Sequence, residues 1–390
     1  MQFSIKELGK IITGNTPSKT KEEYWNSSDI YFVKPDRISD EGITLINDSN
    51  EYISEKARAK ARVVPKDSIF VTCIGTIGKI GITSEGQYAF NQQINVIIPN
   101  DIVLPKYLAY SLLYSKSRLV AIANAPVVPI INKSQFGDFL VNIEVDKRKQ
   151  EEMIEKLDKL SGIIERRKSE LKELDNLIKA RFVEMFGDPV SNEKQWDKVK
   201  LSVCLERIDN GKSFICENHA RSEDYPAILK LSSATYGIYM PEENKALLNE
   251  DQFVESVEVH AGDLLFTRKN TPELVGMAAY VYETPEKLMM PDLIFRLVTN
   301  AKMNPIFLWQ LINNREFRSV IKSISGGSAK SMSNISKERL GNVEVICPPK
   351  EVQNSFRDLI EQVNKSKVAV QKALDETQTL FDSLMQEYFC

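Results

Sequence analysis

The chain has 390 residues, 42% apolar and 27% charged, with a formal net charge of −3. These are the proportions of an ordinary globular protein with room for two or three domains, not of a fibrous or disordered chain. Five cysteines without metal or redox spacing, and only two histidines (His219 and His260), exclude most histidine-centred metal and triad chemistry and point to a reducing, cytoplasmic setting. No run approaches the length of a membrane span, and residues 1–7 contain no apolar signal core.

Residues 1–145 alternate short β-type runs with turn signals: Ile30-Tyr31-Phe32-Val33, Ser68-Ile69-Phe70-Val71-Thr72, and Ile94-Asn95-Val96-Ile97-Ile98 before Pro99. A helix opened by Pro105 is expected to run to about residue 122. Residues 146–186 read as one long helix. Leu157, Ile164, Leu171, Ile178 and Met185 fall at one heptad position, and Met153, Leu160 and Leu174 at the other. Gly187-Asp188-Pro189 stops it. Residues 187–349 repeat the mixed pattern, with a helix from Pro305 to about residue 323. Cys347-Pro348-Pro349 then precedes a second long helix, 350–390, whose seam is Ile360, Leu374, Phe381 and Tyr388 with Phe356, Val363, Val370 and Leu384. Arg167 and Arg181 interrupt the first seam, and Lys367 and Thr377 the second. They are either snorkelling surface positions or residues that fix register between the helices.

The two halves repeat each other. Leu177 to Phe186 (LIKARFVEMF) recurs as Leu380 to Phe389 (LFDSLMQEYF), an offset of 203 that also relates Gln150 to Gln353, Met153 to Phe356 and Leu157 to Ile360. Upstream, the matches keep their order while the offset drifts. Ile131-Asn132-Lys133 pairs with Ile335-Ser336-Lys337, Pro105 with Pro305, Gly78 with Gly276, and Gly14 with Gly211. Duplicated globules with loop insertions behave in this way, whereas an indel in a heptad seam would rotate its apolar face. The expected fold is α+β. Two similar globular domains (1–145 and 187–349) are separated by two long helices (146–186 and 350–390), each about 60 Å long. The helices are expected to pack as an antiparallel coiled coil in a pseudo-twofold repeat.

Several motifs occur in order along both halves. They are Gly14-Asn15-Thr16-Pro17-Ser18 with Glu23-Tyr24-Trp25, Gly75-Thr76-Ile77-Gly78-Lys79, Asn91-Gln92-Gln93-Ile94, Asn270-Thr271-Pro272-Glu273-Leu274-Val275-Gly276, Ile335-Ser336-Lys337, and Pro348-Pro349 followed by Gln353. With the helix–globule succession, the whole chain resembles the specificity subunit of Type I restriction–modification systems. The resemblance implies two target-recognition domains, each reading one half of an asymmetric, interrupted site in double-stranded DNA. It implies helices that set the spacer and dock two modification (methyltransferase) subunits, which use S-adenosylmethionine. Restriction (motor–nuclease) subunits would bring ATP and Mg2+, and this chain would carry no cofactor and no catalysis. The half-sites are expected about one helical turn apart. The chain departs from the pattern at Val145-Asp146-Lys147, where Pro-Pro is expected before Gln150, and at Gly211-Lys212-Ser213, where Gly-x-Thr-Pro-Ser is expected.

The residues themselves agree with a non-catalytic reading. Gly75-Thr76-Ile77-Gly78-Lys79-Ile80 is the nearest approach to a phosphate loop, but it is too short and has Ile80 where a magnesium-binding hydroxyl is required. Basic and acidic residues nearly balance in every segment, so DNA contact must use local clusters or share the duplex with a more basic partner. Base reading needs Arg, Asn or Gln, and backbone positioning needs Lys, Ser, Thr and amides. In the first half the candidates are Lys34, Asp36, Arg37, the cluster Lys56, Arg58, Lys60 and Arg62, then Lys79, Gln92 and Lys133. In the second half they are Lys230, Ser232 and Ser233, Arg268, Lys269 and Asn270, and Ser328 and Lys330 in the Gly326–331 loop. Two other classes stay open: a coiled-coil scaffold whose globules bind protein, and a DNA-modifying enzyme with a degenerate cofactor site.

Overall fold

The structure is a computed structural model that describes residues 1–123, 128–326 and 332–390. The chain divides into two compact units. Unit 1 is residues 1–170 with 370–390, and unit 2 is residues 171–369. Among the described residues no helix is long and apolar enough to cross a membrane.

In unit 1, strands Gly9–Thr13, Ile94–Pro99, Ile69–Thr72, Ile80–Thr83 and Ile43–Ile46 lie in that order in one sheet. It is antiparallel except where Ile43–Ile46 runs parallel to Ile80–Thr83. A second sheet orders Glu51–Ile53, Ile30–Val33, Tyr88–Phe90 and Val63–Val64. Unit 2 repeats the plan with fewer strands. Leu205–Asn210, Ile294–Thr299, Leu264–Thr267 and Ala278–Tyr280 form an antiparallel sheet, and Asn244–Ala246, Ala227–Leu229 and Leu288–Met289 form the smaller one. Runs such as Ile69-Phe70-Val71-Thr72 are buried throughout, as strands covered on both faces must be.

The duplication extends to single hydrogen bonds. In unit 1 the Gly78 amide donates to Thr72 O (2.9 Å) and the Lys79 amide to Thr72 Oγ1 (3.0 Å). In unit 2 the Gly276 amide donates to Thr267 O (2.8 Å) and the Met277 amide to Thr267 Oγ1 (2.9 Å). Gly78 and Gly276 hold φ of +78° and +74°, the left-handed region that favours glycine. Gln150 and Gln353 are both fully buried. Gln150 accepts from the Leu104 amide (2.7 Å) and donates to Ile102 O (3.2 Å) and Glu144 O (2.6 Å). Gln353 accepts from the Asn304 amide (2.8 Å) and donates to Lys302 O (3.0 Å) and Pro348 O (2.7 Å). The Val145-Asp146-Lys147 departure therefore leaves this frame intact. Gln150→Ala strands one buried N–H and two carbonyls, and is expected to destabilise the protein by about 3 kcal/mol in chemical denaturation. A loss below about 1 kcal/mol would show that water replaces the amide.

The long helices run over Lys147–Phe186 and Lys350–Phe389, 40 residues each. The Gly187 amide closes the first onto Val183 O (2.8 Å), with φ at +73°. Each helix contributes one segment to each unit, and in each unit the two segments run antiparallel. In unit 1, Arg167 hydrogen-bonds Ala373 O and Thr377 Oγ1, while Leu157 shares a core cluster with Met385 and Phe389. In unit 2, Asp175 pairs with Lys367 (2.6 Å), while Phe182 and Phe186 meet Phe356 edge to face at ring-centroid distances of 5.6 and 5.2 Å. Three of the four seam interruptions thus make contacts across the pair, as register-fixing residues do. Arg181 alone turns to Glu184 on its own helix (2.6 Å). The ends dock alike, with Phe186 on Phe307 (4.6 Å) and Phe389 on Tyr107 (5.1 Å).

Two expected helices are each broken in two. Pro105–Tyr114 gives way at Ser115 to Lys116–Ile122, and Pro305–Asn313 is followed by Phe317–Ser323. In the second case the Asn314 side chain accepts from the amides of Glu316 (3.0 Å) and Phe317 (3.2 Å), competing with the helical ladder and starting a new helix.

All five cysteines are free. Burial pushes the Cys73 thiol up to about 12, and the Cys204 thiol likewise. In the native protein a maleimide is expected to label exposed Cys390 readily, and Cys73 and Cys204 only after denaturant is added. Mass spectrometry that found native labelling of Cys73 would show an open core in unit 1.

Candidate nucleic-acid interface

In unit 1 the residue 14–18 loop is laid on the end of a strand. The Gly14 amide donates to Ile94 O (3.1 Å) and the Asn15 amide to Phe90 O (3.0 Å). That placement gathers polar groups around the loop. Asn15 Nδ2 donates to Lys60 O (2.6 Å), Thr16 Oγ1 to Gln92 Oε1 (3.1 Å), and the Arg62 guanidinium to Thr13 O. Thr16, Lys60, Arg62 and Gln92 are exposed. An amide, a hydroxyl and two cations on one edge is the chemistry that contacts bases and phosphates.

Other candidates of unit 1 are committed to neighbours. Lys34 pairs with Glu51, and Arg37 with Asp48 and Asn50. Burial alone would raise the Glu51 carboxyl, but Lys34 and Lys19 together hold it below its ordinary value. Asp36 lies in a single turn of helix at Pro35–Arg37. Lys56 lies 3.7 Å from Glu23, and Arg58 pairs with Glu55. The Lys79 side chain is 14% exposed, with Nζ 3.4 Å from Asp40. Lys133 is exposed at the start of helix Lys133–Gly137.

Unit 2 repeats the frame with other side chains. The Gly211 amide donates to Ile294 O (3.3 Å) and the Lys212 amide to Met290 O (3.1 Å), so Gly211 stands where Gly14 does although the Thr-Pro-Ser is missing. Residue by residue, Asp292 falls at the place of Gln92 and Lys212 at that of Asn15. Arg268, whose amide donates to Leu293 O (2.9 Å), occupies the place of Cys73, whose amide donates to Gln93 O (2.8 Å). The Arg268 guanidinium lies 4.9 Å over the Phe295 ring and 3.4 Å from Asn334 Oδ1. Lys337 approaches the same ring at 5.8 Å, and Lys269 lies in a two-residue strand against Asn334. Lys230 lies 3.6 Å from Glu243, and Ser232 donates to the same carboxylate (2.5 Å). The hydroxyl and the ammonium keep the Glu243 carboxyl below its usual range.

Ser233 and Asn270 do not reach the surface. Ser233 is fully buried, and Asn270 donates to Thr235 Oγ1 (3.1 Å) and accepts from the Thr271 amide (2.8 Å). Ser233 lies in the short Ser232–Thr235 helix, which packs on the sheet, and the bond to Thr235 ties Asn270 to that helix. Ser328 and Lys330 lie outside the described residues. The candidate set omits Asn15, Thr16, Lys212 and Lys337. Lys337 was accessible through its repeat match to Lys133, whereas Asn15 and Thr16 needed the strand end that carries their loop. Among the described residues no group of three or more His, Cys, Asp or Glu side chains is placed to hold a metal.

Residues 1–175 match the family described as the Type I restriction modification DNA specificity domain. The chain is 26% identical over 209 residues to the Type I restriction enzyme EcoEI specificity subunit of Escherichia coli, covering 50% of this chain and 35% of that one. It is 37% identical over 110 residues to the HindI specificity subunit of Haemophilus influenzae, covering 28% and 23%. The matches thus span about a third or less of these two relatives' own length. The fold is that of the S subunit of a Type I restriction–modification system from M. genitalium, at a TM-score of 0.62 and 13% identity over 100% of this chain and 96% of that one.

Proposed function

We propose that this chain, which has the fold of a Type I specificity subunit and the matching domain in its first half, is the DNA sequence-recognition subunit of a Type I restriction–modification assembly. Each unit reads one half of a bipartite, asymmetric site in double-stranded DNA. The long helices set the unread gap and offer docking surface to two modification subunits. Catalysis and cofactors reside in partners: methyl transfer with S-adenosylmethionine in the modification subunits, and ATP- and Mg2+-dependent cleavage in the restriction subunits.

The observation that supports this reading is one backbone frame built twice and dressed differently. The same amides and carbonyls hold the 14–15 and 211–212 loops, yet Gln92 is answered by Asp292 and Asn15 by Lys212. A glutamine offers a fork to adenine, whereas a carboxylate accepts from cytosine. Equal scaffolds with unequal reading residues suit two different half-sites. Methylome sequencing of a host carrying this chain with a modification subunit, against a strain without it, is expected to show a new methylated motif of two short blocks around a fixed gap. No new motif, with the modification subunit active and bound, would overturn the reading.

A further inference from the structure

Two of the five free cysteines, far apart in sequence, meet in unit 2. Cys204 ends the short turn Leu201–Cys204, just before the strand Leu205–Asn210 that leads to Gly211. Cys347 follows strand Glu344–Ile346 and opens the Pro348-Pro349 entry to helix Lys350–Phe389. One short stretch of chain touches both. The Asn300 amide donates to Cys204 O (3.0 Å), and the Cys347 sulfur lies 3.9 Å from Lys302 O. Cys204 is fully buried in the core of unit 2, and half-buried Cys347 packs against that core. Burial above all, and then the Cys347 sulfur beside it, holds the Cys204 thiol up at about 12. Lys302 lies within charge range of Cys204, and Lys350 within charge range of Cys347. A partly exposed thiol beside a cation, with a second thiol in reach, is the setting of oxidisable cysteines.

The duplication supplies a comparison. In unit 1 the Asn100 amide donates to Leu8 O (2.9 Å), as the Asn300 amide does to Cys204 O, so Leu8 stands where Cys204 does. At the offset of 203, Glu144 stands where Cys347 does. The scaffold is thus built with leucine and glutamate in one copy, and does not itself require two thiols in the other.

We propose that Cys204 and Cys347 form a disulfide when a peroxide reaches the protein, a covalent clasp between the first strand of unit 2 and the entry to the last helix. Cys347, the accessible thiol, attacks a peroxide oxygen as its thiolate. The O–O bond breaks, and hydrogen peroxide leaves a sulfenic acid on Cys347 and one water. The Cys204 sulfur then attacks the Cys347 sulfur, and the hydroxyl departs as water with the Cys204 proton. Two thiols lose two electrons in all, and one hydrogen peroxide becomes two waters. The bond closes residues 204–347, most of unit 2, into one loop. Peptide mapping by mass spectrometry without reductant, on the full chain treated with hydrogen peroxide, tests it. Wild type and C390S are expected to yield a Cys204–Cys347 peptide pair from single-chain protein, lost on adding dithiothreitol. Both are expected to melt about 5 °C higher than their reduced forms. C347S, changed at a half-buried position, is expected to keep Cys204 as a thiol under the same treatment and to show no rise. Cys347 carried on to sulfinic acid beside an intact Cys204 thiol would overturn the proposal. So would a bond from Cys347 to Cys390 or to a second molecule, two thiols unchanged by peroxide, or a Cys204–Cys347 bond that left melting unaltered. The test involves neither DNA nor a partner, so its outcome is separate from that of the function proposed above.

Discussion

Replacing Gly14 by alanine is expected to erase the half-site read by unit 1 and to leave the other half-site methylated as before. A β-carbon at Gly14 would lie 2.0 Å from Asn91 O and 2.5 Å from Phe90 O. Both obstacles are main chain at a strand end, so no rotamer change relieves them. The loop must lift, losing the amide bonds of Gly14 and Asn15 and the placement of Thr16 against Gln92. The cost is expected to be about 3 kcal/mol, the upper part of the range for overpacking against groups that cannot move. Gly211→Ala is the mirror experiment, since its β-carbon would meet Pro291 O at 2.0 Å and Met290 O at 2.5 Å. It should erase the other block. Methylome sequencing of both variants decides the matter: loss of the same block by each would mean that the units do not read independently.

Lengthening both long helices by one heptad is expected to widen the unread gap by about three base pairs without changing either block. Seven helical residues add about 10.5 Å along the axis. Duplex DNA rises about 3.4 Å per base pair. A heptad keeps the apolar seam facing its partner, whereas one or two residues would rotate it out of contact. Insertions after Glu170 in the first helix and after Ala369 in the second leave the Arg167–Thr377 and Asp175–Lys367 contacts within their own segments. A methylated motif with an unchanged gap would rule out the helices as the ruler.

The long helices and the duplication were legible because both are linear signals. Heptad spacing, the Gly187 stop and the Gln150–Gln353 match need no knowledge of what the chain packs against. The recognition surface was less so. Glu51 takes Lys34 from 17 residues away, and Glu243 takes Lys230 across a similar interval. Only sheet pairing places those partners. Ser233 and Asn270 looked like surface donors because their types are polar, but Ser233 is buried within the short helix at Ser232 and Asn270 is turned inward onto Thr235 of that helix. The parallel strand Ile43–Ile46 was invisible for a related reason, since its partner Ile80–Thr83 lies far along the chain and parallel pairing leaves no turn signature. The break at Asn314 comes from one side chain that accepts from two amides, a local competition that periodicity does not register.

Unit 2 is one continuous stretch of chain, residues 171–369, whereas unit 1 is closed by residues 370–390. Met385 and Phe389 fill the same core as Ile5, Tyr107 and Val141. During synthesis from the N-terminus, the second half can therefore complete its core while the first still waits for its last helical turns. A premature stop shortly after residue 370 would spare the later-made unit and cripple the one made first.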